Sequence, residues 1–234
     1  MESLLLPTKI QFQHGERPNE GVLVVEPCTP GYGTTLGNAI RRVLLSSLPG
    51  AAVTAVKIRG VDHEFSTVPH IKEDVLEIIL NLKALRMKLF AQEPVKLSLT
   101  AKGEGPITAA NFEKNADVEI VNSDLVLATQ TDKGATFEME ITISPGRGYR
   151  STEERQKEKL DLGVIGIDAL YSPVLNVSYQ VEATRVGEKT DFDKLTLRIE
   201  TDGAMDPLDA CNQAVDTLLD HMNLLKNLSY ESEG

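Results

Sequence analysis

A strand, a glycine-rich turn and a helix, in that order, can cradle a phosphate group, and residues 22–44 have that order. Gly31, Gly33 and Gly37 would leave backbone N–H groups open where the helix dipole favours an anion. The spacing rejects a nucleotide. A dinucleotide turn needs Gly-x-Gly-x-x-Gly, and these glycines read Gly-x-Gly-x-x-x-Gly. A nucleotide P-loop ends in Gly-Lys-Ser or Gly-Lys-Thr, and here Asn38 follows Gly37. Only a weak anion site at the helix start survives. Zinc peptidase chemistry needs His-Glu-x-x-His on one helix face. His63-Glu64 and His70 are too widely spaced for that, with Pro69 between them. Glu64, Asp74, Glu77 and Asp168 show no spacing that defines an acid–base pair. Cys28 and Cys211 are too few and too far apart for a disulfide framework or a metal site and are expected to be free thiols. No cofactor, metal or catalytic residue is expected.

The bulk properties point the same way. At 234 residues the chain can hold one large or two small cores. A net charge of −11 opposes non-specific binding to DNA, which requires clustered positive charge. With no Trp, five Tyr and six Phe, base stacking has little support. No apolar run reaches the roughly 18 residues of a membrane span, and the N-terminus has no signal-peptide pattern. A cytoplasmic protein is expected.

These turns are positioned by a helix predicted over residues 35–47, capped by Thr34 or Thr35 and stopped by Pro49-Gly50. Leu36, Ala39, Ile40, Val43 and Leu44 form one apolar stripe. Asn38, Arg42 and Leu45 share a second face, with Arg41 beside it. A leucine among guanidinium groups suits a protein partner. Before this helix, Lys9-Ile-Gln-Phe-Gln and Gly21-Val-Leu-Val-Val-Glu predict a hairpin. After it come a strand over 52–59 and a helix over 72–82 with the stripe Val75, Ile78, Ile79 and Leu82. Residues 95–100, 117–121, 124–128 and 136–143 alternate as short strands. The charged run 146–159 is expected to be a solvated, mobile loop.

Two long strands, 174–186 and 194–200, are predicted to pair across a connection at 187–193. A last helix is predicted from Asp206-Pro207 to Tyr230. Cys211, Val215, Leu218, Met222 and Leu225 follow in it at steps of 4, 3, 4 and 3, which is coiled-coil spacing. The predicted helix is about 37 Å long at about 1.5 Å per residue, more than a small domain needs to close its core. A homodimer is therefore expected, with Leu36, Ile40, Val43, Leu44, Val215, Leu218, Met222 and Leu225 at its interface. The fold class is α+β. A discontinuous dimerisation domain, 1–50 plus 174–234, would hold an antiparallel sheet and two helices. A β-rich subdomain, 51–173, would be inserted in it.

Seven segments carry a family resemblance, in order, over nearly the whole chain. They are Leu36-Gly-Asn-Ala-Ile-Arg-Arg-Val-Leu-Leu-Ser-Ser-Leu-Pro-Gly, Val61-Asp-His-Glu-Phe-Ser-Thr-Val-Pro, Glu73-Asp-Val-Leu-Glu-Ile-Ile-Leu-Asn-Leu-Lys, Gly146-Arg-Gly-Tyr, Ala169-Leu-Tyr-Ser-Pro-Val, Val181-Glu-Ala-Thr-Arg-Val and Thr190-Asp-Phe-Asp-Lys-Leu. The set resembles the N-terminal domain of the bacterial DNA-directed RNA polymerase α subunit, with plastid relatives as a further source. The resemblance implies a structural, non-catalytic subunit of a nucleotidyltransferase, a homodimer that docks the β subunit with one copy and β′ with the other. It implies β-docking positions at Asn38, Arg42, Leu45 and Glu77, and β′-docking positions at Lys83, Ile167, Val174 and Lys194. It also implies that, in the family, a linker and a promoter-binding domain follow the position of Gly234.

Overall fold

The computed structural model describes residues 5–155 and 161–226. The chain begins with strands β1 (Lys9–His14) and β2 (Glu20–Cys28), helix α1 (Tyr32–Ser46), strand β3 (Pro49–Ile58) and helix α2 (Val75–Lys83). Short strands follow: β4 (Met87–Leu89), β5 (Val95–Lys102), β6 (Gly105–Thr108), β7 (Val118–Ile120) and β8 (Val126–Gln130). Then come β9 (Thr136–Arg147), β10 (Tyr149–Arg150), β11 (Ile165–Gly166) and β12 (Ala169–Leu170). The last elements are β13 (Val174–Val186), β14 (Lys189–Thr201) and α3 (Pro207–Lys226). The class is α+β, with antiparallel sheets and three helices among the described residues.

Contacts divide the chain into two compact units: Met1–Leu48 with Pro173–Gly234, and Pro49–Ser172. The first unit is built on a four-stranded antiparallel sheet of order β1-β2-β14-β13. Strand alternation sends Leu23 and Val25 of β2, Val177 of β13 and Leu195, Leu197 and Ile199 of β14 to one face. Both helices cover that face: α1 contributes Ile40 and Leu44, and α3 contributes Ala210, Cys211 and Ala214. The connection expected at 187–193 is far shorter in the structure. Val186 pairs with Lys189, so only Gly187 and Glu188 form the turn, with Gly187 at φ 61, where a type II′ turn takes glycine. Residues 189–193 belong to the strand, although their polarity reads as loop.

Helix α3 starts as its sequence dictates. The Asp206 carboxylate accepts from the Leu208 N–H at 2.8 Å, and Pro207 needs no donor partner in the first turn. The expected seam changes character along the helix. Cys211 is buried, Val215 and Leu218 are half-buried against the core, and Met222 and Leu225 are 58% and 57% exposed. Its extension beyond residue 226 lies outside the described residues.

The second unit centres on a sheet of order β11-β3-β9-β5, whose core also takes Val75, Ile78, Ile79 and Leu82 of α2. Helix α2 begins at Val75 rather than at residue 72. Asp74 caps it, accepting from the Glu77 N–H at 2.7 Å. The two residues before are tied elsewhere: Glu73 accepts from the Thr129 N–H and hydroxyl at 2.6 and 2.8 Å, and the Lys72 N–H donates to the Thr129 carbonyl.

The charged run also departs from expectation over its described part. Gly146 and Arg147 complete β9, Tyr149–Arg150 pair with Ala169–Leu170, and Thr152 donates to Asp168. Arg155 donates through Nη2 to the carbonyls of Thr54 and Ile167. Residues 156–160 lie outside the described residues.

The approach of α1 to its sheet generates a test. A Cβ at Gly37 would lie 2.8 Å from Tyr179 Cδ2 and 2.9 Å from Leu195 Cδ1. In Gly37→Ala, overpacking of about 1–3 kcal/mol outweighs a gain in helix propensity of about 1 kcal/mol. Urea unfolding is expected to show a net loss of stability, and an unchanged or raised midpoint would contradict this packing.

Candidate functional site

Helix α1 begins without a cap of its own. Gly31 precedes it at φ 85, the first turn carries no acidic residue, and the expected caps Thr34 and Thr35 lie inside the helix. Exposed N–H groups at a helix start need an acceptor. Asp193 of β14 supplies it: one carboxylate oxygen, Oδ2, accepts from Gly31 N–H at 2.8 Å and from Gly33 N–H at 3.1 Å. The position that would attract a phosphate is therefore occupied by the chain's own carboxylate. The glycines serve packing instead. A Cβ at Gly33 would lie 3.0 Å from both Asp193 Cβ and Val181 Cγ1.

The two arginines of α1 separate. Arg41 donates through Nε to the Val177 carbonyl of the edge strand β13 at 3.1 Å. Arg42 is exposed, and its guanidinium has no hydrogen-bond or ion-pair partner among the described residues. Asn38 lies exposed one turn before it, whereas Leu45 is half-buried and packs against the core. The interface expected on the other stripe requires correction. Ile40 and Leu44 are 7% and 0% exposed inside the unit's own core, leaving Leu36 exposed and Val43 half-buried.

The residues expected to dock β′ are not all surface groups either. Val174 and Ile167 are 5% and 1% exposed, each in the core of its own unit, because both sit at inward positions of strand or turn. Within the first unit Val174 and Lys194 are also far apart. Val174 pairs with Thr201 and Lys194 with Glu182, a separation of about 26 Å at roughly 3.3 Å per residue. Lys194 is half-buried on the sheet face opposite α1, close to Glu26. A hydrogen bond from Lys9 Nζ at 2.6 Å holds the Glu26 carboxyl below its ordinary value, and the charge of Lys194 adds to the effect.

In the second unit Glu77 is exposed on α2, and Lys83 at its end reaches Asp168 Oδ2 at 3.5 Å, beside Ile167. Asp168 also accepts from the Thr152 N–H at 2.9 Å and the Thr152 hydroxyl at 3.2 Å. These contacts, first the Thr152 N–H, hold its carboxyl below the usual range against partial burial. Tyr149 is pushed above its ordinary value by desolvation and by the Asp168 carboxylate. In the sequence Asp168 is one of several acids without a partner at a telling spacing. Its role emerges from the fold, which brings Lys83, Thr152 and Tyr149 to it.

The remaining candidates are engaged locally. His63 Nδ1 is 3.2 Å from Ser66 Oγ, and His70 Nδ1 is 3.5 Å from Asp132 Oδ2. Among the described residues no group of three His, Cys, Asp or Glu is placed to hold a metal ion. Cys28 and Cys211 are buried free thiols, and burial pushes both up from the ordinary value. No helix among the described residues is long and apolar enough to cross a membrane.

Residues 56–172 match the family model described as the RNA polymerase Rpb3/RpoA insert domain. The chain is 51% identical over 213 residues to the DNA-directed RNA polymerase subunit alpha of Symbiobacterium thermophilum, covering 91% of this chain and 67% of that protein. It is 50% identical over 221 residues to the same subunit of Moorella thermoacetica, covering 94% and 70%. The chain belongs to the bacterial RNA polymerase α-subunit family. Against the subunit of Leifsonia xyli subsp. xyli it is 52% identical over 211 residues, covering 90% of this chain and 63% of that one. The insert-domain match falls inside the second unit, and the relatives span both units.

The Asp168 cluster has a pH signature. Its carboxyl is held below the ordinary aspartate value, so its contribution to stability is present above that ordinary value and is lost as pH falls through the lower, folded-state one. Hydrogen exchange at the Thr152 amide is expected to stay protected at pH 4.5 and to lose protection only on stronger acidification. Loss already at pH 5 would contradict the assignment.

Proposed function

We propose that this chain is the homodimeric platform on which an RNA polymerase core assembles in the cytoplasm, one copy docking the β subunit and the other β′. Family membership supplies the coarse statement, a structural subunit of the polymerase. The observation that carries the finer one is the division of labour on α1. Its inner face is committed to the sheet through Gly33 and Gly37, Arg41 is bonded to β13, and Arg42 is left exposed beside Asn38. An exposed, unpaired guanidinium on a rigid helix is a suitable anchor for a partner protein.

The dimer reading is supported by α3, whose last two turns expose Leu219, Met222, Leu224 and Leu225 at 53–75%. Of these, Leu219, Met222 and Leu225 stand three apart on one stripe of the helix, which suits a second copy. The interface set is accordingly Leu36, Val43, Val215, Leu218, Met222 and Leu225, without the core residues Ile40 and Leu44. In this reading Asn38 and Arg42 are the β-docking residues of the first unit and Glu77 that of the second, and Lys194 and Lys83 are the β′-docking residues of the first and second units. Nucleotidyl transfer belongs to the large subunits, and the charge of −11 disfavours direct DNA contact.

Two variants separate the surfaces. Met222→Glu with Leu225→Glu places four carboxylates in the shared seam of the dimer, at positions already exposed in the single chain. It is expected to sediment as a folded monomer, and an unchanged sedimentation coefficient would remove the α3 seam. Arg42→Ala is expected to remain dimeric and to bind the β subunit about tenfold more weakly. Monomers from Arg42→Ala would instead make it a dimer residue.

A further inference from the structure

We propose that Asp193 is a positioning residue for docking: it fixes α1 on the sheet in the place from which Arg42 meets the β subunit. The proposal rests on the docking reading above. Helix α1 has no local cap, and among the described residues the side chain that receives its first N–H groups comes from a strand 160 residues further along the chain. The cap is therefore also a tether between helix and sheet.

Three features build that tether. A β-bulge in the pairing of β14 with β2 sets Glu26 and Pro27 opposite Lys194, between the pairs Asp193–Cys28 and Leu195–Val25. The extra residue is on β2, so β14 keeps its alternation: Asp193 shares the α1-facing side with Leu195, while its neighbour Lys194 lies on the opposite face. Gly33 then seats the helix directly on the carboxylate, since a Cβ there would lie 3.1 Å from Asp193 Oδ2. Finally, α1 is continuous from Tyr32 to Ser46, so a shift at Gly33 is carried rigidly to Arg42, about 13 Å away along the axis at about 1.5 Å per residue.

The consequence is a coupling between two residues that do not touch. Asp193 does not contact the partner and acts only through the placement of α1. The adjacent Lys194 gives the same dipeptide of β14 a position on each face of the sheet.

A double-variant cycle on the full dimer, read as affinity for purified β subunit, tests this. Asp193→Ala is expected to stay dimeric and to lose about tenfold in affinity. Asp193→Asn keeps an acceptor at the same place and is expected to recover to within about threefold of the parent. The combination of Asp193→Ala with Arg42→Ala is expected to lose clearly less than the two single losses together, because the main group that the placement presents is then gone and only Asn38 is left on that face. Should Asp193→Ala not fold, the same cycle is run with Asp193→Asn, whose smaller loss is likewise expected to shrink in the Arg42→Ala background.

Asp193 variants that bind like the parent, while Arg42→Ala is weakened, overturn the proposal and leave the docking reading intact. Losses that simply add in the double variant also overturn it, because a general loss of stability behaves that way. An Arg42→Ala protein that binds β normally overturns the docking reading itself, and the proposal with it.

Discussion

Helix α1 lies so close to β13 and β14 that a methyl group has no room at Gly37 and only a tight fit at Gly33. Most of the first unit follows from that approach. Tyr179 and Leu195 fill the surface beneath the helix, Arg41 reaches the Val177 carbonyl of the edge strand, and Asp193 receives the helix start. A helix held at its inner face and its first turn has few ways to move, and its outer face becomes a fixed surface. That surface carries Asn38 and Arg42. The same glycines that resemble a phosphate turn in the sequence are thus the means by which a helix is pressed onto a sheet.

The second unit uses a different device. Its long strand β9 pairs with both β3 and β5, and α2 closes the core. Asp168 gathers Lys83 from α2 and Thr152 and Tyr149 from the charged run, so a segment of high charge is held by its own polar contacts. Surface ion pairs such as Lys83–Asp168 contribute little to stability on their own. Their value here is in fixing where the groups stand.

Much of the architecture was legible because it depends on short-range pattern. The hairpin of β1 and β2, the stripe of α2, and the Asp206-Pro207 start of α3 are each encoded within a few residues. The misreadings share a cause. Thr34 and Thr35 are good caps by type, but the acceptor for α1 comes from β14. Residues 189–193 are polar enough to pass for a loop, yet they complete a strand whose Asp193 faces inward.

The candidate site divides in the same way. Asn38 and Arg42 follow from helical spacing and stand where it puts them, whereas Ile40 and Leu44, one stripe over, are taken by the core. Helical periodicity shows which residues share a face. It does not show whether that face meets the same chain or another. For Ile167 and Val174 the family pattern indicates a position in the chain, and burial assigns both side chains to packing.

Family membership and the proposed assembly meet in a stoichiometry. A two-fold dimer offers each docking face twice, and the proposed assembly takes up one β and one β′. Native mass spectrometry of the chain, first alone, then with β, then with β′, addresses this directly. The account expects a dimer of 25.6 kDa chains that takes up a single β subunit and then a single β′. A monomer that binds neither large subunit would contradict it.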